Sequence, residues 1–284
     1  MRFLWTILLF AFILDQSIAQ PIVKGLVLDA STNEPIPFVN IGFKKLAVGT
    51  VSDEAGHYEL KLVSPRDLIS VSSLGYEDQS LLPADLQKNT TILLTPRNYD
   101  IPEVEVTAEH WETEEILLGN HSEDLDHNVG FGSRQLGTEI GARIPIGQET
   151  YIKSAHFLLN HAKGDSILFR VNLYSFNEGK LGRNLLPENV IIAAKQEKGA
   201  VLEVDLSGYN VVVDHDVLLA LEWIKDDGQE GNVGITFRAS KSRKWGNLYT
   251  KETSFAEFRK LSDWVPRAPS IYVGFYLTVK QVKS

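Results

Sequence analysis

Near the end of the chain Ile271, Val273, Phe275, Leu277 and Val279 alternate with Tyr272, Gly274, Tyr276 and Thr278. A side-chain period of two belongs to a strand with one face buried. The same signal recurs in short runs along the sequence, and no stretch sustains a long helical period. A chain built this way buries its apolar faces by stacking sheets. Ile167, Phe169, Val171 and Leu173 repeat the alternation, and Val217–Ile224 is a near-continuous apolar run, as in a central strand. Further strand signals lie near 151–159, 190–194, 201–206, 211–213 and 234–238. Turns such as Asn177-Glu178-Gly179 and Asp226-Asp227-Gly228 separate them. One short helix is expected over Ser254–Leu261, where Ser254 and Glu257 form a capping box. About ten strands over residues 129–284 predict a larger, jelly-roll-like β-sandwich.

Residues 20–97 read as a smaller sandwich. Strand signals at 22–28, 38–43, 49–60, 68–72 and 91–94 are separated by turn chemistry, including Asn33-Glu34-Pro35 and Asp53-Glu54-Ala55-Gly56. In the second of these, Asp53 can bond backbone two residues on, and Gly56 can take a positive φ. Roughly seven short strands predict a small antiparallel sandwich, so the whole chain is expected to be all-β.

The first 19 residues read differently. Arg2, an apolar run from Phe3 to Leu14, and the small residues Ser17 and Ala19 form a secretory signal, with cleavage expected after Ala19. The run is shorter than the ~20 residues a spanning helix needs, and no later stretch is long and apolar enough. Cysteine is absent, which excludes disulfides, thiolate metal sites, Fe–S clusters and a cysteine nucleophile. An exported chain without disulfides fits a bacterial envelope, in the periplasm, at the outer membrane or in the medium.

Charge divides what remains. Residues 20–107 carry a net -5, residues 108–128 a net -7 without one basic side chain, and residues 129–284 a net +3. Residues 98–128 are therefore an acidic linker in which Trp111, Ile116, Leu117 and Leu118 suggest a short docking helix. A net charge of -9 argues against a nucleic-acid partner, which needs a basic surface.

The series Gly25-x-Val27-x-Asp29, Glu34-Pro35-Ile36-Pro37-x-Val39-Asn40-Ile41, Gly49-Thr50-Val51-Ser52-Asp53-Glu54-x-Gly56-x-Tyr58-x-Leu60 and Ser73-Leu74-Gly75-Tyr76-Glu77 resembles the carboxypeptidase-regulatory-like domain. The resemblance implies a transthyretin-like (prealbumin-like) sandwich, common in exported proteins of Bacteroidetes, and an accessory rather than a catalyst. Position 39 departs from many members, which have a smaller residue there. Glu103-Val104-Glu105-Val106-Thr107 is similar to the tail joining this domain to the plug of TonB-dependent receptors, which implies an accessory role beside such a receptor as one alternative. Too little chain remains for a receptor barrel of that type.

Chemistry leaves few local traces. The chain has no Gly-x-Ser-x-Gly elbow, His-Glu-x-x-His, Gly-x-Gly-x-x-Gly or phosphate loop, and no His is followed by Glu three residues later. No cofactor is indicated. His121, Glu123, Asp124, Asp126 and His127 are the densest possible metal ligands, but their ordinary reading is a solvated acidic loop. The best binding candidates are Trp245, Tyr249, Trp264, Tyr272 and Tyr276, near Lys241, Arg243, Lys244, Arg259, Lys260 and Arg267. Flat rings beside hydrogen-bonding groups suit a sugar platform or an anionic partner; alternatively they fill the sandwich. The leading expectation is a non-enzymatic envelope protein that contacts protein or glycan. The alternative is a hydrolase that gathers His156 or His161 with Glu203, Asp205 or Glu222.

Overall fold

The computed structural model describes residues 20–97, 113–122, 125–131, 136–161, 167–194, 199–225, 235–241, 247–264 and 270–283. The expected leader lies outside them. No helix among the described residues is long and apolar enough to cross a membrane.

The first domain contains β1 (Ile22–Asp29), β2 (Asn40–Phe43), β3 (Val48–Val51), β4 (His57–Lys61), β5 (Ile69–Ser72), β6 (Gln79–Leu81), α1 (Pro83–Lys88) and β7 (Thr91–Leu94). They form a three-stranded sheet β4-β1-β7 over a four-stranded sheet β3-β2-β5-β6. Alternation decides what lies between the sheets: Val27, Val39, Ile41, Phe43, Ile69, Val71 and Ile92 are buried together. The β3–β4 turn forms as its residues predict. Asp53 Oδ1 accepts from the backbone N–H of Ala55 (2.9 Å) and His57 (2.8 Å), and Gly56 sits at φ +77°. One expectation fails. The sandwich is not wholly antiparallel, because β7 runs parallel to β1, Leu26 pairing Thr91 and Asp29 pairing Leu94. The chain passes through α1 between β6 and β7, and such a crossover lets it return in the same direction. Pro83 opens α1 with a pre-set φ, and Leu86 anchors it in the core.

The second domain runs β8 (Thr113–Gly119), β9 (His127–Gly130), β10 (Glu139–Ile144), β11 (Thr150–His161), β12 (Ile167–Asn177), β13 (Lys180–Asn184), β14 (Val190–Ala194), β15 (Val201–Asp205), β16 (Val212–Val213), β17 (Val217–Lys225), β18 (Thr236–Lys241), β19 (Leu248–Lys251), β20 (Arg259–Lys260), α2 (Leu261–Trp264), β21 (Ile271–Val273) and β22 (Phe275–Val282). One sheet has the order β13-β12-β17-β10-β19-β20, with β14 also on β12. The other has the order β21-β18-β11-β22-β8, with β15 and β16 on β11 and β9 on β18. Among the described residues the strand pairings within this domain are all antiparallel. Phe157, Phe169, Phe237 and Phe275 fill the space between the two sheets.

Two sequence expectations are corrected here. Among the described residues of the acidic linker there is no docking helix: Ile116, Leu117 and Leu118 lie in β8, an edge strand in which Glu115 pairs Lys280 of β22 and meets Lys153 Nζ at 2.5 Å, and Trp111 lies outside the described residues. The second domain therefore begins near Thr113, not at 129. The helix expected over Ser254–Leu261 is replaced by a turn. Thr253 Oγ1 accepts from the N–H of Phe255 and Ala256, and helix starts only at Leu261. The Ser254 hydroxyl, which would have capped it, donates instead to Glu222 Oε1 at 3.0 Å.

Candidate functional site

The outer face of the first of these sheets carries a row of charges that no local motif announces. In register across β12, β17, β10 and β19 stand Arg170, Glu222, Glu139 and Lys251. The order of signs is +, −, −, +, so each carboxylate has a cation outside it and the other carboxylate inside. Arg170 Nη1 donates to Glu222 Oε2 at 3.0 Å, and Lys251 Nζ to Glu139 Oε1 at 2.5 Å. Asn172 Nδ2 lies between the two acids, 3.2 Å from Glu139 and 3.3 Å from Glu222, and is held by Asn184 at 2.9 Å. Tyr174 OH donates to Glu139 Oε2 at 3.1 Å. Glu139 and Glu222 are 0% and 1% exposed, so this ion network is shielded from bulk solvent. Burial pushes the Glu139 carboxyl above its ordinary value, against the pull of Lys251 and with added repulsion from Glu222. Burial, then Glu139 and Glu222, hold the Tyr174 phenol well above its usual value.

The first domain closes over this row. The carbonyl of Phe38 accepts from Arg170 Nη2. The Asn40 amide lies with its oxygen 3.1 Å from Arg170 Nη1 and its nitrogen 3.1 Å from Glu222 Oε1. Two rings key the domains together in opposite directions. Phe38 of the first domain is buried with Val51 and Ile224, and Leu136, Leu168 and Ile191 pack against them. Phe255 of the second lies over Gly42 and Gly49, where an added Cβ would stand 2.9 Å from its ring. Lys225 reaches Glu54 at 3.0 Å at the margin. Beside the row remains a cavity of about 160 Å³, bounded by Ser72, Tyr76, Asp78 and Arg97 of the first domain. Arg170 Nε is buried there without a protein partner, and the cavity has room for water to satisfy it.

Of the predicted aromatic set, the described members Tyr249, Tyr272 and Tyr276 do not share one surface. Leu248 is in the core and Tyr249 follows it on the outer face of its sheet, 5.4 Å from the Phe176 ring. Tyr272 and Tyr276 alternate with core residues of the other sheet, so they occupy the opposite outer face. Tyr276 stacks on His156 at 4.4 Å and 3°. Trp245, Arg243, Lys244 and Arg267 lie outside the described residues, as does the Trp264 side chain. His156 stands opposite Glu203 in register, while Glu222 is on the far side of the sandwich; the two histidine–carboxylate sets are thus not one site. Burial lowers the His156 pKa, and its Nε2 is 2.9 Å from Ser154 Oγ and 2.8 Å from Thr278 Oγ1. Among the described residues no group of three or more His, Cys, Asp or Glu is placed to hold a metal; Glu123 and Asp124 lie outside them.

Fold and site together define an all-β protein of two sandwiches locked through a buried charge network. Residues 23–106, which include the first sandwich, match the model of the CarboxypepD_reg-like domain. No curated protein matches the sequence. Among solved structures the chain is similar to the cysteine protease and lectin-like domains of Cwp84, a surface layer associated protein of Clostridium difficile. That likeness has 8% identity and a TM-score of 0.40, over 59% of this chain and 36% of that one. A structure of infectious bursal disease virus, Gt strain, is similar at 11% identity and a TM-score of 0.31, over 91% of this chain and 63% of that one.

Proposed function

We propose that the protein is a non-catalytic contact protein of the bacterial envelope, exported by its leader, which presents two fused sandwiches as one rigid body to a glycan or protein partner. One observation carries the non-catalytic part. Glu139 and Glu222 are the residue types a hydrolase would use, yet all four of their oxygens are hydrogen-bonded within the protein. The first domain covers most of the row, and the acids reach only the small cavity of about 160 Å³ between the domains. The module supports binding by fixing the shape of the second domain, and the aromatic and basic residues of the last fifty positions offer contact area on both of its outer faces.

The test is retention on a glycan array and in an envelope pull-down by the mature chain. Retention is expected for the wild type and is expected to fall by roughly tenfold or more when Trp245 and Trp264 become Ala. Turnover of any retained glycan that disappears with Glu139→Gln or Glu222→Gln would refute the reading.

A further inference from the structure

We propose that the open cleft along the seam of the two domains binds a neutral, hydroxyl-rich ligand, namely a short glycan; this deepens the contact function and rests on it. The cleft measures about 840 Å³ and takes its walls from β1, β4, the β3–β4 turn and β7 of the first domain and from Leu136, Ile224 and Lys225 of the second. Seams between domains are a preferred place for ligand sites, and this volume falls within their usual range of about 300–1,000 Å³. The walls do not shift independently, because the Phe38 and Phe255 keys and the charge row fix one domain against the other.

The chemistry of the lining selects the ligand. Its two cations are already paired: Lys24 with Glu59 at 2.7 Å, and Lys225 with Glu54 at 3.0 Å. The third carboxylate, Asp53, is tied into its own turn by two backbone N–H groups. Two cations against three carboxylates leave the wall slightly negative, so an acidic glycan or an anionic peptide meets repulsion and finds no unpaired cation. What remains is His57, its Nδ1 3.5 Å from Asp53 Oδ1, and the half-buried apolar surface of Leu26 and Leu136 with the hydroxyls of Thr50, Thr90 and Thr91. Apolar C–H surface next to uncharged hydrogen-bonding groups is the complement of a sugar ring, which is apolar on its faces and hydroxylated at its edge.

The experiment titrates the mature chain with two panels, one of neutral oligosaccharides and one of fragments bearing uronic acids, by calorimetry at about 0.05 M and 0.5 M salt. A neutral oligosaccharide is expected to bind, with affinity little changed by salt. Thr50→Arg and Thr91→Arg, which extend long side chains into the cleft, are each expected to weaken it by roughly tenfold, with thermal melts confirming that both variants fold. Neutral binding unaffected by both substitutions would overturn the cleft site. So would preference for the uronic acids, or binding of an extended peptide that collapses with salt. Glycan retention that depends on Trp245 and Trp264 but not on Thr50 or Thr91 would sink the cleft and leave the contact function standing. No retention of any glycan or envelope protein would end both.

Discussion

Glu139 shows how much a single side chain can depend on its surroundings. The run Glu139-Ile-Gly-Ala-Arg-Ile, not among the strand signals read from the sequence, is β10 in the fold, and the Glu139 carboxylate lies against that of Glu222. Because burial raises its pKa, the sign of its linkage follows. The stability Glu139 contributes is complete below its ordinary value of 4.5 and is lost as pH rises through the higher folded value. The wild-type unfolding free energy, measured relative to Glu139→Gln by urea titration at several pH values, is therefore expected to decline as pH rises above about 4.5. A difference that stays flat or climbs over that range would show that Lys251 outweighs burial. Phe38 makes a related point in backbone terms. It holds φ +57°, a conformation costly for a bulky residue, and it persists because its ring and carbonyl both grip the other domain.

At the level of strands, the sequence is legible where alternation is clean and opaque where neighbours decide. β1, β2, β7, β12, β14, β17 and β22 follow from period and turn chemistry. β8 was disguised because Glu, Ile and Leu also suit a helix; the open edge of β22 settles it as a strand. The row itself could not be read, since it joins four strands from distant parts of the chain. A signal did exist: Glu222 inside the apolar run of β17 and Arg170 inside β12 are charges that a buried strand must match. Strand β3 also carries a prediction. Gly49→Val would bring a side chain against the Ile41 carbonyl and the Phe255 ring, at an expected cost of about 1–3 kcal/mol. Part of that cost should disappear in the Gly49→Val, Phe255→Ala double variant, read as a coupling energy from denaturant melts. Strict additivity would mean that the ring is not seated where the structure puts it.

For the molecule as a whole, the interface predicts shared cooperativity. Calorimetry of the wild type is expected to show one transition. Arg170→Ala strands Glu222 without its cation and removes the bond to Phe38, an expected loss of about 3–5 kcal/mol, and should split that peak in two. Phe38→Ala should do the same by emptying the apolar key. Two peaks already present in the wild type would mean that the domains are neighbours rather than one cooperative body.

The strand found in the far half of the linker has a mechanical consequence. Arg97 is pinned by the Gly75 carbonyl and Thr113 by Val282, so only the fifteen residues 98–112 join the two halves. Even fully stretched, the chain from Arg97 to Thr113 spans no more than about 58 Å. Sandwiches pulled apart would still meet at an effective concentration in the millimolar range. A force or a competitor that parts them must therefore work against constant recapture, and what it opened would close again as soon as it let go.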